Sequence, residues 1–293
     1  MIPDDAEFPV ALRRIPHWWQ WPTVLSLDAP IVTVLWQWEI AHASGHRLGA
    51  PRPFILGASV WLAYAADRWI EGWRLSSDRI RTQRHHFYRR WRIPVAVLWA
   101  TILAADLGFA LSDLALREIT TGLLLLSAVA AYLLSHQFVH RHHPWRIPKE
   151  ICIAVLLAGG AVLFPATAPS VPIGALAIPT ALFALLCFTN CALISVWEGE
   201  VDQSHGQTSL ALQYRRGAQL SCGVPWAVAA LSILVLVLGG RAARPTAACA
   251  ACSAVLLGLV DRVESRIGWR MARVLADVVV MTPAVHLLAV AAR

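Results

Sequence analysis

Charge is scarce in this chain. Only 15% of its 293 residues are Asp, Glu, Lys or Arg, while 57% are hydrophobic. A soluble domain carries nearer a quarter charged residues. There is too little charge here to cover a surface facing water, and the mean hydropathy is +0.56. A freely soluble domain is therefore excluded, and a polytopic membrane protein is the expected class. The formal net charge of +7 does not point to nucleic acid. The basic residues sit in short loops between apolar runs, which is a topology signal rather than a binding face.

Other absences narrow the reading further. The opening MIPDDAEFPVALRRIPHWWQW lacks the basic, apolar, small-residue order of a cleavable signal. Six cysteines (Cys152, Cys187, Cys191, Cys222, Cys249 and Cys252) lie in or beside apolar runs, so no disulfide framework is implied. Cys249 and Cys252 form a CxxC within TAACAACSAV, but without the flanking polar residues that redox or metal use needs. Close helix packing by small residues is the expected role of that stretch. No short-period repeat is visible. No stretch is left over for a soluble domain, so residues 1–293 are expected to form one transmembrane domain with a cytoplasmic segment over 1–21.

What is present is a series of apolar runs. A bilayer core needs about 20 apolar residues per helix. That length gives nine expected spans, near 22–44, 51–73, 93–111, 115–136, 149–167, 172–197, 220–240, 245–261 and 271–291. Fourteen tryptophans suit the membrane interface. With nine spans, nineteen of the 25 Lys and Arg residues fall on the side of the N-terminus and six on the other. By the positive-inside rule the N-terminus is cytoplasmic. An all-α, multi-pass protein follows, with a bacterial inner membrane as its expected location.

Two stretches break the apolar pattern on that side. WLAYAADRWIEG ends the second span with Asp67, Arg68 and Glu71, and NCALISVWEGEVDQSHG ends the sixth with Glu198, Glu200 and Asp202. Residues four apart share a helix face. Asp67 and Glu71 therefore point one way, as do Glu198 and Asp202 if the helix continues, with Glu200 on another face. Uncompensated acids repel, and a divalent cation relieves them. Mg²⁺ takes oxygen ligands and completes its shell with substrate phosphates. Asp67, Glu71, Glu198, Glu200 and Asp202 are the candidate metal ligands. Arg68, Arg74 and Lys149 are the candidate contacts to a diphosphate. A diphosphate head held at the membrane surface with an apolar tail in the bundle describes an isoprenoid diphosphate.

These motifs resemble those of the UbiA superfamily of intramembrane prenyltransferases, which has nine helical spans around a central cavity. The family carries NxxxDxxxD after span two and DxxxD after span six. Asp67 to Glu71 matches the DxxxD part of the first. Glu198-Gly199-Glu200-Val201-Asp202, then Gly206 and Ser209-Leu210, matches the second. Lys149-Glu150 before an apolar run with Gly159-Gly160 resembles the start of span five. The resemblance implies Mg²⁺-dependent transfer of a prenyl group from an isoprenoid diphosphate to a lipophilic acceptor, with Asp67, Glu71, Glu198 and Asp202 as the catalytic carboxylates. The chain departs from the pattern at Ala63, where the family has Asn, and at Glu71 and Glu198, where Asp is usual; against the resemblance, Asn190, two turns before Glu198, is the expected source of the missing amide contact to the diphosphate.

Alternatives stay open at this stage. A terpene cyclase uses the same trigger without an acceptor. A non-catalytic lipid-binding protein or a transporter also accommodates acids in a bundle, although a transporter places them nearer the midplane. His85, His86, His140, His142 and His143 read as solvated or lipid-facing, being set among arginines. His136 and His205 are candidate proton acceptors near the mouth. Asp277 and Asp28 are intramembrane acids, and Asp277 is expected either to face the cavity or to pair with Arg273. Trp69 and Trp197 read as packing residues, with carbocation shielding as the alternative. Pro283 is expected to kink the last span. The oligomeric state is not legible.

Overall fold

In hydrocarbon every backbone N–H and C=O must be satisfied within the protein, and helices do this locally. The computed structural model describes residues 16–74, 80, 82–135, 147–205, 209–214 and 216–292. No strand occurs among them. We number the helices α1 (Trp21–Val24), α2 (Asp28–Ala43), α3 (Pro51–Arg74), α4 (Gln83–Arg90), α5 (Arg92–Asp113), α6 (Leu116–Leu134) and α7 (Lys149–Thr167). Then follow α8 (Ile173–Trp197), α9 (Gly199–Ser204), α10 (Leu210–Gln213), α11 (Gly217–Leu238), α12 (Arg244–Ile267), α13 (Trp269–Val279) and α14 (Pro283–Ala291).

Among the described residues all nine expected spans are helical, and seven segments are long and apolar enough to cross a membrane. The other two are α2 and α3. The first is shorter than expected because the chain turns at Ser26, whose φ is +58°. Trp61 Nε1 donates to the Leu25 carbonyl at 3.0 Å, and the Tyr88 hydroxyl donates to Ser26 Oγ at 3.1 Å, which fixes that turn. The second carries Arg68, Arg74 and both acids of its motif.

The core is made where small residues let helices approach. Ala154, Ala158 and Ala161 of α7 and Ala247, Ala250 and Ala254 of α12 are buried around Trp36 and Phe183, whose rings stack at 5.0 Å. Close backbone approach replaces the hydrophobic driving force that lipid removes. The expected packing role of the cysteine-containing stretch is found, with Cys249 buried and Cys252 exposed. Helices α5 and α6 differ. Only 11% and 6% of their most apolar windows are buried in the protein, so lipid covers the rest.

The last span is broken rather than kinked. Helix α13 ends at Val279 and α14 begins at Pro283. Proline has no N–H to continue the ladder. Ala284 N bonds Met281 O instead of Val280 O. The Val280 carbonyl thus freed accepts from Trp36 Nε1 at 2.9 Å.

Candidate functional site

The first acidic motif closes α3. Glu71 is 2% exposed and Asp67 is half-buried. Helix α4 returns directly over this end. At Gly72 a Cβ would lie 3.3 Å from the backbone nitrogen of Arg89, so the absence of a side chain lets the two helices meet. That approach brings His85 Nε2 to 2.6 Å from Glu71 Oε2. On the ring's other side His85 Nδ1 is 2.6 Å from Thr82 Oγ1. A neutral imidazole satisfies both, with Nε2–H donating to the carboxylate and Nδ1 accepting from the hydroxyl. Burial is the main cause that pulls the His85 pKa down to about 4, and the Glu71 carboxylate opposes it. The contact is therefore a hydrogen bond to a carboxylate rather than an ion pair. Among the described residues Arg68 Nη1 also approaches Glu71 Oε2, at 3.7 Å.

The second motif begins where α8 stops. The backbone leaves the helix at Glu198 (φ −97°, ψ 12°) and resumes at Gly199. Asp202 N still bonds Glu198 O at 2.9 Å, so the two acids stay one turn apart. Glu198 Oε2 accepts from Arg273 Nη1 at 2.6 Å and from Arg84 Nη2 at 3.0 Å. Burial acts to raise the Glu198 carboxyl, but the two guanidiniums outweigh it and hold it well below the ordinary range. Arg84 is in turn pulled down to about 10, by burial first and then by Arg273 and Arg68. Asp202 accepts from Lys149 Nζ at 2.9 Å, the one lysine of the chain. Next to it, Glu150 accepts from the backbone N–H of Leu210 at 3.1 Å. Consecutive residues of α7 thus hold both ends of the loop that follows the motif.

The motifs form one array. Helix α4 joins them, since His85 reaches Glu71 and Arg84 reaches Glu198. Asp67, Glu71, Glu198 and Asp202 lie among Arg68, Arg84, Lys149 and Arg273, which also act on one another's partners electrostatically. The expectation of uncompensated acids is corrected here, because basic side chains already balance them. No three of the motif carboxylates converge within 4.8 Å as a ready-made cation site among the described residues. Mg²⁺ commonly takes one or two carboxylates plus phosphate oxygens, so the donor set still fits it. Glu198 Oε1 is buried without a hydrogen-bond partner and is a spare acceptor for such an ion. A pocket of about 50 Å³ opens at Thr82, Arg84, Glu198 and Arg273. Typical ligand pockets hold roughly 300 Å³ or more, so this one is small beside them.

The remaining expected residues are placed as follows. Glu200 is exposed, away from the buried acids, and Arg74 is exposed at the end of α3. Asn190 donates to Asp277 Oδ1 at 2.9 Å, which spends its amide deeper in the bundle. Asp28 lies close enough to Asp277 for the two carboxyl groups to act on one another electrostatically. Of the two alternatives expected for Asp277, the cavity or Arg273, the pairing takes only an electrostatic form, since Arg273 makes its hydrogen bond to Glu198. Trp69 Nε1 donates to the Arg92 carbonyl at 3.0 Å and Trp197 Nε1 to Asp261 at 3.1 Å, which makes both anchors. His85 corrects the reading of the histidines as solvated, being 1% exposed. His205 is buried too, its ring 5.1 Å from that of His85. His136, His140, His142, His143 and Gly206 lie outside the described residues. Sequence reasoning missed Arg84, His85 and Arg273 as site residues. Their signal was drowned by a loop in which arginine already had a topological explanation.

No family model matches the chain, and no curated protein matches it. Among solved structures it is similar to the apo structure of a UbiA homolog from Aeropyrum pernix K1. The TM-score is 0.54 at 18% identity, over 90% of this chain and 98% of that one. At that identity the likeness shows the fold: an all-α, polytopic membrane bundle of the UbiA type.

Proposed function

We propose that this chain is an intramembrane prenyltransferase that uses Mg²⁺ to take a prenyl group from an isoprenoid diphosphate and pass it to a lipophilic acceptor. The observation that carries this reading is the single charge-balanced array joining the ends of α3 and α8. Glu71, Glu198 and Asp202 pair with Arg68, Arg84, Lys149 and Arg273 at one end of an apolar bundle, and Asp67 acts on Arg68 beside them. The fold of the UbiA homolog supports the same class.

The chain's residues act by exchanging partners. With a metal diphosphate bound, Asp67, Glu71, Glu198 and Asp202 are the residues that would hold the cation, released from their basic partners. Arg68, Arg84, Lys149 and Arg273 turn to the phosphate oxygens, where planar guanidiniums bind in pairs. Bound Mg²⁺ supplies Lewis-acid stabilisation of the leaving diphosphate. The bases stabilise the charge that develops on that group as the allylic bond breaks. Neutral His85, fixed by Thr82, orients Glu71 and adds no charge to the site. The apolar helices hold the prenyl tail and exclude water. The array faces the cytoplasm in this proposal, as the positive-inside rule requires.

Binding of farnesyl or geranylgeranyl diphosphate to the purified chain tests the reading. It is measured in detergent with and without Mg²⁺, for the native chain and for Asp67→Ala and Asp202→Ala. Binding that needs Mg²⁺ and is lost in both variants is expected. Absence of Mg²⁺-dependent binding at either chain length overturns it. Product analysis with and without acceptors then separates transfer from cyclisation.

A further inference from the structure

A second cluster of ligating side chains lies at the opposite end of the bundle. Asp28, at the start of α2, lies near Asp277 and Arg273 of α13, close to the acidic array. Glu39 is eleven residues further along α2, about 16 Å along the axis at the usual helical rise. There Glu39 of α2, Cys249 of α12 and His286 of α14 each present a ligand atom, all within 4.8 Å of one another.

Glu39 is 0% exposed, in a segment whose neighbours are apolar. A buried carboxylate without a compensating charge is costly. Its contacts are His286 Nδ1 at 2.7 Å and the Thr246 hydroxyl at a long 3.4 Å. No Arg or Lys pairs with it among the described residues. Each carboxylate of the acidic array, by contrast, has a basic partner close by. Within a turn of Cys249 its own helix offers no carboxylate or imidazole, but the fold supplies Glu39 from α2 and His286 from α14.

We propose that Glu39, Cys249 and His286 bind a divalent transition-metal ion of borderline softness, with zinc as the representative. Carboxylate oxygen, thiolate sulfur and imidazole nitrogen are the zinc ligand types, and three protein ligands leave a fourth position open. Beside these ligands the His42 ring lies 5.8 Å from that of His286. The charge balance suits the setting. A dication with one carboxylate, one thiolate and one neutral imidazole is neutral overall, whereas the carboxylate alone is not. Binding releases the thiol proton, together with any proton shared by Glu39 and His286. The imidazole and carboxylate, now in direct hydrogen bond, part to admit the ion between them. The three ligands come from three helices, so the ion ties α14 to the bundle across the break that Pro283 makes.

The test uses the full chain, purified without a histidine tag and stripped with chelator. Zinc binding is measured by elemental analysis. Cobalt is then substituted, since a cobalt–thiolate bond gives a charge-transfer absorption that carboxylates and imidazoles do not. About one zinc per chain and a clear thiolate band are expected. Both should be lost in Cys249→Ala and His286→Ala but kept in Cys252→Ala and in Asp67→Ala, which separates this site from the diphosphate array. A folded native chain that takes up no zinc and shows no thiolate band overturns the proposal. So does zinc uptake that survives both Cys249→Ala and His286→Ala. The cobalt spectrum of the native chain decides the matter even where a variant fails to fold.

Discussion

Arg84 and His85 are adjacent in sequence, yet each serves a different acidic motif: Arg84 Nη2 lies 3.0 Å from Glu198 and His85 Nε2 lies 2.6 Å from Glu71. One turn of α4 thereby couples the ends of two helices that are more than a hundred residues apart in sequence.

Removing one side of that coupling leaves a buried charge short of a partner. Arg84→Ala is expected to destabilise the fold by about 3 kcal/mol, in the range for a broken buried ion pair. Arg273 still holds Glu198, so the loss falls at the low end of that range. Chemical unfolding in detergent measures it. In an Arg84→Ala, Glu198→Gln double variant part of that loss should be recovered.

The neutral state of His85 makes stability depend on pH. Its ordinary pKa is 6.5 and its folded value is about 4, so the unfolded chain holds more protons between those values. Stability is therefore full above about pH 6.5 and falls as the pH is lowered toward 4. Glu198 shifts in the same sense, its contribution being lost only at lower pH, below the ordinary carboxylate range. Thermal unfolding from pH 7.5 to 4 should show the decline, and His85→Gln should flatten its upper part.

Lys149 and Asp202 form a pair suited to a double-mutant cycle. Lys149→Met and Asp202→Asn should each destabilise, and the double variant by less than their sum. A coupling of about 1–2 kcal/mol is expected for a partly buried pair at 2.9 Å. Additive effects would mean that the two side chains do not interact in solution.

Gly72→Ala places a methyl 3.3 Å from the Arg89 backbone nitrogen, which cannot move aside as a flexible side chain could. A cost of about 1–3 kcal/mol is expected. Because α4 carries both Arg84 and His85, the same variant should weaken Mg²⁺-dependent diphosphate binding, although residue 72 touches no ligand. Titration of the diphosphate against the folded variant checks this second effect.

Much of this was legible in the sequence. The apolar runs became helices near their expected ends because hydrocarbon leaves the backbone no other solution. The two acidic motifs came together because each closes a helix on the same side. The partners of those acids were not legible. His85 and Arg84 acquire their roles from the close return of α4 over Gly72, and local spacing does not encode that contact. Arg273 is four residues before Asp277, which suggested a local pair, but the guanidinium extends to another helix. The turn at Ser26 was equally hidden, since Trp61 and Tyr88 hold it from a distance.

Helices α5 and α6 have a consequence for handling the protein. With so little of their surface against the bundle, they are held by few contacts: Ser59 to Asp106 at 2.8 Å, Arg52 to Glu118 at 2.6 Å and Trp99 to the Leu62 carbonyl at 2.9 Å on the α3 side, and Leu125 of α6 against Gly159 and Gly160 of α7. Lipid is the packing partner of this hairpin. Its resistance to opening thus belongs partly to the surrounding amphiphile, and a change of detergent acts on this hairpin much as a core substitution acts on a water-soluble fold.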